Sequence, residues 1–174
     1  MIRQTIVREL LPAILAQYLL NPNGIHGVPH WGRVLENGKR MAAETGADRA
    51  VIEMFAIFHD ACRKSDAWDP DHGPRGATLA WTMRTQTGLD DNQISELVIA
   101  CECHTSGPRA GASPTVLACL DSDRLDIPRV GMRTRPELLF TAAAREPGVL
   151  AWAADRAARL VIPAVCAEEW EWRP

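Results

Sequence analysis

Five histidines lie between positions 26 and 104 of this chain, and four of them fall where helices or loops are expected to begin or end. Imidazole together with carboxylate binds divalent ions such as Zn, Mn and Fe and leaves positions open for water. His30 opens one expected helix, His59-Asp60 closes another, His104 ends a third, and Asp121 and Asp123 come late in a fourth. Helix ends gathered at one pole of a bundle would bring these groups together. Neighbouring helical residues point about 100° apart, so His59 and Asp60 can reach one ion only from its two flanks, as in a groove between helices. Spacing alone leaves a second reading standing, in which the five histidines are unrelated, some in the core and some on the surface.

The elements that must position these groups are helical nearly throughout, since no segment sustains a two-residue alternation. Ile6, Leu10, Ile14 and Tyr18 share a stripe on a first helix that ends before Asn21. Pro29, favoured in a first helical turn, begins a second helix carrying Val34, Leu35 and Met41 and stopping near Gly46. A third helix is expected from Asp48 to Arg63, a loop over Ser65 to Arg75, and a fourth helix from Gly76 to Thr87. Asp90 or Asp91 caps a fifth helix that ends at His104, and Ser113-Pro114 starts a sixth that ends near Asp126. After a loop over Ile127 to Pro136 come two C-terminal helices, with Pro147 marking a start and Pro163 a kink. The expectation is an all-α bundle of about six to eight helices.

At roughly 150 residues per domain, 174 residues suggest one domain over 1–174, with a motif-bearing core at about 26–126 and C-terminal helices at 136–172. With 47% hydrophobic and 24% charged residues the composition is that of a globular chain and excludes disorder. A net charge of −3 gives no general attraction to nucleic acid or membrane, so neither is expected as a partner. Five cysteines with no framework spacing read as reduced thiols, and with no apolar run of roughly 20 residues the expected location is cytoplasmic.

The segments His26-Gly-Val-Pro-His30-Trp-Gly-Arg33-Val34, Phe58-His59-Asp60-Ala-Cys-Arg63 and Asp121-Ser-Asp123-Arg124-Leu125-Asp126 together resemble the HD-domain superfamily of metal-dependent phosphohydrolases. His72-Gly-Pro-Arg-Gly76 and His104-Thr-Ser-Gly107 are similar to the two intermediate histidine segments of many members. The resemblance spans about residues 26–126. It implies His30, His59, Asp60 and one of Asp121 and Asp123 as metal ligands, with the D-R-L element selecting Asp123 and leaving Asp121 as a solvated or arginine-paired carboxylate. The implied cofactor is a divalent ion (Mn, Fe, Zn, Co, Ni or Mg), one or two per chain.

The implied activity is hydrolysis of a small phosphate ester, a nucleotide or related phosphomonoester. Asp60 would orient the attacking water, and His72 or His104 would donate a proton or help to hold a second ion. Arg63 and Lys64 would meet phosphate, since an arginine matches its geometry, and His26 could touch substrate. Arg33 reads as structural, the Asp66/Asp69/Asp71 cluster as a solvated loop, and Arg124, Arg129, Arg133 and Arg135 as a solvated rim or an anion-attracting mouth. Alternatives are a di-iron oxygenase on the same scaffold and a non-catalytic regulatory module. Trp170 and Trp172 suggest a packing tail or a homo-oligomer contact, and the oligomeric state stays open.

Overall fold

The computed structural model describes residues 2–174, with side chains from Ile6 onward. Among the described residues all regular structure is helical: α1 (Ile2–Leu15), α2 (Val28–Thr45), α3 (Arg49–Phe58), α4 (His72–Thr82), α5 (Asp91–Cys103), α6 (Pro114–Arg124), α7 (Ala142–Arg145), α8 (Pro147–Ala158) and α9 (Ala164–Glu168). Short 3-10 turns cover Arg84–Gln86, Ile127–Val130 and Pro136–Leu138. The all-α expectation holds. Among the described residues nine helices stand where six to eight were expected, because α7 and α9, of four and five residues, are too short to leave an apolar period in the sequence.

The starts follow their capping chemistry. Asp48 accepts from the Ala50 N–H at the head of α3, and Asp90 and Gln93 form a reciprocal capping box on α5. Ser113 accepts from the Val116 N–H at the head of α6. Gly46 closes α2 in the left-handed region, at φ 69°.

Four boundaries differ from expectation. Helix α1 stops at Leu15, well short of Asn21, where the Gln17 and Tyr18 N–H groups turn to the Ile14 and Leu15 oxygens, so Tyr18 lies beyond the helix. Helix α3 stops at Phe58 instead of Arg63, where the chain passes into tighter turns in which the Ala61 and Arg63 N–H groups donate to the Phe58 and Asp60 oxygens three residues back. Helix α4 begins at His72, four positions before Gly76, because Pro74 falls in the first turn, where its missing N–H costs nothing. It also ends at Thr82 and not Thr87, the 3-10 turn Arg84–Gln86 following it. Pro163 is not a kink but the residue that caps the separate helix α9.

Helix α3 is the axis of the core. Every residue from Ala50 to Phe58 is buried, as befits a helix that is apolar nearly all round, and α1, α2, α4, α5 and α6 pack about it. Burying each Ile or Phe there contributes about 1.5–3 kcal/mol. A smaller cluster of Met41, Leu125, Leu139, Ala143 and Ala153 joins α7 and α8 to α2. The C-terminal segment belongs to the main core, since Val165, Cys166 and Trp170 are buried in it. No described helix is long and apolar enough to cross a membrane.

Candidate metal centre

The C-terminal ends of α3, α5 and α6 meet the N-terminal ends of α2 and α4, so five helix termini deliver the chemistry. His30 comes from the first turn of α2, His59 and Asp60 follow α3, His72 opens α4, His104 caps α5, and Asp123 lies in the last turn of α6. Two glycines let α4 approach. A Cβ on Gly76 would stand 2.6 Å from the Phe58 oxygen, and one on Gly73 would stand 2.6 Å from the Cys101 oxygen.

Four groups converge on one point. His30 Nε2 lies 3.1 Å from His59 Nε2, 3.6 Å from Asp60 Oδ2 and 3.4 Å from Asp123 Oδ1. His59 Nε2 lies 3.8 and 3.9 Å from the same two oxygens. Donors arranged around a tetrahedral ion with bonds of about 2.1 Å are separated by about 3.4 Å, so His30, His59 and Asp60 fit such an ion, with Asp123 beside the two histidines. A second convergence uses the other oxygen of Asp60, with His72 Nε2 at 3.2 Å, His104 Nε2 at 3.7 Å, and the two nitrogens 2.8 Å apart. His30, His59 and Asp60, and again Asp60, His72 and His104, could each hold an ion.

The tautomers support this. His59 Nδ1 faces carbonyls of Phe55 and Ala56, His72 Nδ1 that of Asp69 and His104 Nδ1 that of Cys101, while His30 Nδ1 lies 2.7 Å from Asp126 Oδ2. These oxygens only accept, so each Nδ1 carries the proton and each Nε2 turns a lone pair towards Asp60. Two such lone pairs face each other in each convergence. A cation in between, or a proton on one nitrogen, resolves the repulsion. Burial pushes His59 down to about 3, which keeps it neutral. Burial alone would raise the carboxyl of Asp60, but the surrounding imidazoles outweigh it and hold it well below the usual carboxylate range.

Beyond these groups, Asp126 is the residue that the sequence reading left without a role. It bonds His30 Nδ1 and accepts from Arg33 Nε at 2.7 Å and Arg33 Nη2 at 3.0 Å. The signal was available, since Asp126 lies three residues after Asp123 and closes the quoted motif. Arg33 is structural, as expected, and also donates to the Val161 oxygen.

A cleft of about 280 Å3 opens over the site, lined among others by Asp60, Arg63, His72, His104, Asp123 and Arg129. Arg63 Nη1 stands 3.4 Å from Asp60 Oδ1 and 3.1 Å from His72 Nε2, while Nε and Nη2 donate to the Ser65 and Ala67 oxygens, which fixes the guanidinium plane.

Several expected placements are corrected. Lys64 is exposed and does not line the cleft. His26 is buried behind Asp60, with Nδ1 3.0 Å from Oδ2, and does not line it either. Asp121 is neither solvated nor paired with an arginine. It is fully buried and accepts from the Phe140 N–H, the Thr141 N–H and Thr141 Oγ1. Asp69 is not a solvated loop residue, because both its oxygens bind Arg75 and one also takes the Lys64 N–H. Arg129 is not on a solvated rim. Its side chain is 8% exposed, donates to the Ile25 oxygen and stands 3.9 Å from Asp123.

The fold is similar to that of a solved structure described as a predicted HD superfamily hydrolase from an uncultured Thermotogales bacterium. Identity is 26%, the match covers 90% of this chain and 85% of that one, and the TM-score is 0.59. No protein-family model and no curated protein matches the sequence.

Proposed function

From the HD-domain fold of this chain, we propose a metal-dependent phosphohydrolase acting on a small phosphate ester, a nucleotide or related phosphomonoester. The observation that carries this reading is the pair of histidine clusters sharing the two oxygens of Asp60 under a cleft that Arg63, Arg124 and Arg129 line. His30, His59, Asp60 and Asp123 would hold one ion, and Asp60, His72 and His104 a second. Bound there, a divalent ion would supply a lowered water pKa, towards about 7, and a positive charge for phosphoryl oxygens.

The protein's own groups supply the rest. Asp60 and Asp123 present oxygens that fix where the attacking water lies. Arg63, its plane held by the Ser65 and Ala67 carbonyls, stabilises charge building on the phosphoryl oxygens. Where His72 is not engaged by an ion, its imidazolium form, with a proton on Nε2 as well as on Nδ1, would protonate the leaving oxygen, and Nε2 lies 3.2 Å from Thr105 Oγ1.

The test is elemental analysis of the purified chain, followed by a screen of phosphomonoesters with Asp60→Asn and His59→Ala. The expectation is one or two divalent ions per chain and metal-dependent release of phosphate. Turnover should be lost in both variants while the helical circular dichroism remains. Unchanged turnover in either variant would overturn the assignment. The two convergences also suit a di-iron oxygenase, and two irons per chain with substrate-dependent oxygen uptake would favour that reading instead.

A further inference from the structure

A second hollow of about 150 Å3 adjoins the cleft, and the two share Arg124 and Ile127 as a common wall. Its other walls are Met132, Leu138 and Leu139 with the arginines Arg133 and Arg135 and Thr134. Met132 is 58% exposed and Leu138 47% exposed, although each lies beside a concavity that could bury it.

Two polar atoms here lack partners. Thr134 Oγ1 and Arg124 Nε are buried without a hydrogen bond, which a folded chain seldom leaves unanswered. The guanidinium of Arg124 stacks on Phe140 and donates from Nη1 to the Leu138 oxygen, so it holds the wall between the two spaces in place. A cavity of roughly this size accepts a benzene ring when apolar side chains line it.

We propose that this hollow is the leaving-group subsite of the reaction centre, and that the substrate is a phosphate ester whose leaving group is apolar and aromatic. The inference rests on the phosphohydrolase reading of the cleft. The phosphoryl group lies among Asp60, Arg63 and Arg129, and the ester oxygen points across Ile127. The ring then covers Met132, Leu138 and Leu139. Thr134 at the edge of the ring favours one that bears a hydrogen-bonding atom. Met132, Thr134, Leu138 and Leu139 lie outside the histidine-aspartate segments and outside the cleft, so they set specificity without touching the reacting atoms.

The test compares phenylphosphonate with methylphosphonate, two non-hydrolysable ligands with the same anionic head, by calorimetric titration of the metal-loaded protein. Phenylphosphonate is expected to bind at least about tenfold more tightly, a difference of about 1.4 kcal/mol. In the double variant Met132→Ser/Leu138→Ser the preference should fall below about twofold. Both positions are exposed, so the fold should survive, and circular dichroism confirms it. Equal binding of the two ligands by the unmodified protein, or a preference that persists in the double variant, would overturn the subsite. Failure of both ligands to bind would overturn it as well, by removing its anchor. Tenfold selectivity without turnover of any phosphomonoester would support the hollow as an aromatic-binding site but overturn both the hydrolase reading and the leaving-group role, which keeps the two failures apart.

Discussion

Replacing Asp126 by Asn separates two jobs done by one buried carboxylate. Asp126 accepts from two nitrogens of Arg33, which is only 2% exposed, and from the Nδ1–H of His30. Burial alone would raise its carboxyl, but hydrogen bonding and charge from His30 and Arg33 outweigh that and hold it below the usual range. Asn keeps the shape but removes the charge, leaving a buried guanidinium without a counter-ion. One-sided breakage of a buried pair costs about 3–5 kcal/mol. Arg33 keeps its bond to the Val161 oxygen, so the expected loss is near the lower end, about 3 kcal/mol. At about 2–4 °C per kcal/mol for a chain of this size, Tm should fall by roughly 6–12 °C. His30 would also lose the partner that fixes its tautomer, and metal affinity should drop by about 10–100-fold. The double variant Arg33→Met/Asp126→Asn removes the stranded charge, so Tm should recover while metal affinity stays low. Thermal unfolding and metal titration against a competing chelator read the two effects independently. Recovery of affinity along with Tm, or unchanged affinity in Asp126→Asn, would refute the idea that Asp126 orients His30.

Asp121→Ala should destabilise the chain by about 2–4 kcal/mol, because two backbone N–H groups and a hydroxyl at 140–141 lose their acceptor. Metal content should stay unchanged, and a loss of metal with no loss of Tm would contradict this. Gly73→Ala drives a Cβ against the Cys101 oxygen and stands it 3.2 Å from the His104 ring. The cost should be about 1–3 kcal/mol, with ion occupancy lost at the His72/His104 pair before the His30/His59 pair, as titration with a spectroscopically active ion such as cobalt would resolve. Lys64→Ala should leave phosphate release and Tm unchanged, since its side chain is solvated away from the cleft. A marked rise in KM would reinstate it as a phosphate contact.

Much of this was legible in the chain because the signals are local. Caps at Asp48, Asp90 and Ser113, and glycine at position 46, mark ends that depend on neighbours two to four residues away. The candidate ligand residues were marked by the resemblance to the HD-domain superfamily, since their places at helix ends left a second reading standing. What escaped depends on contacts between distant segments. The D-R-L resemblance selects Asp123 over Asp121, but the work of Asp121 depends on the return of the chain at Phe140 and Thr141, whose N–H groups and hydroxyl it accepts. Arg129 reads as one arginine among several until the Ile25 oxygen is seen beside it. The hollow beyond Ile127 has no sequence signature, because its walls come from an irregular stretch with no period to read.

The glycines that admit α4 to the site also weaken it. Gly73 and Gly76 each forgo about 1 kcal/mol of helix propensity relative to alanine, in a helix of only eleven residues. Helix α4 therefore borrows its stability from α5, and its backbone amides should exchange with solvent sooner than those of the fully enclosed α3. Each such local opening carries His72 away from His104 while His30 and His59 stay in place. The half of the centre that uses α4 should thus open on a clock of its own, and that opening rate would bound the lifetime of anything held between His72 and His104.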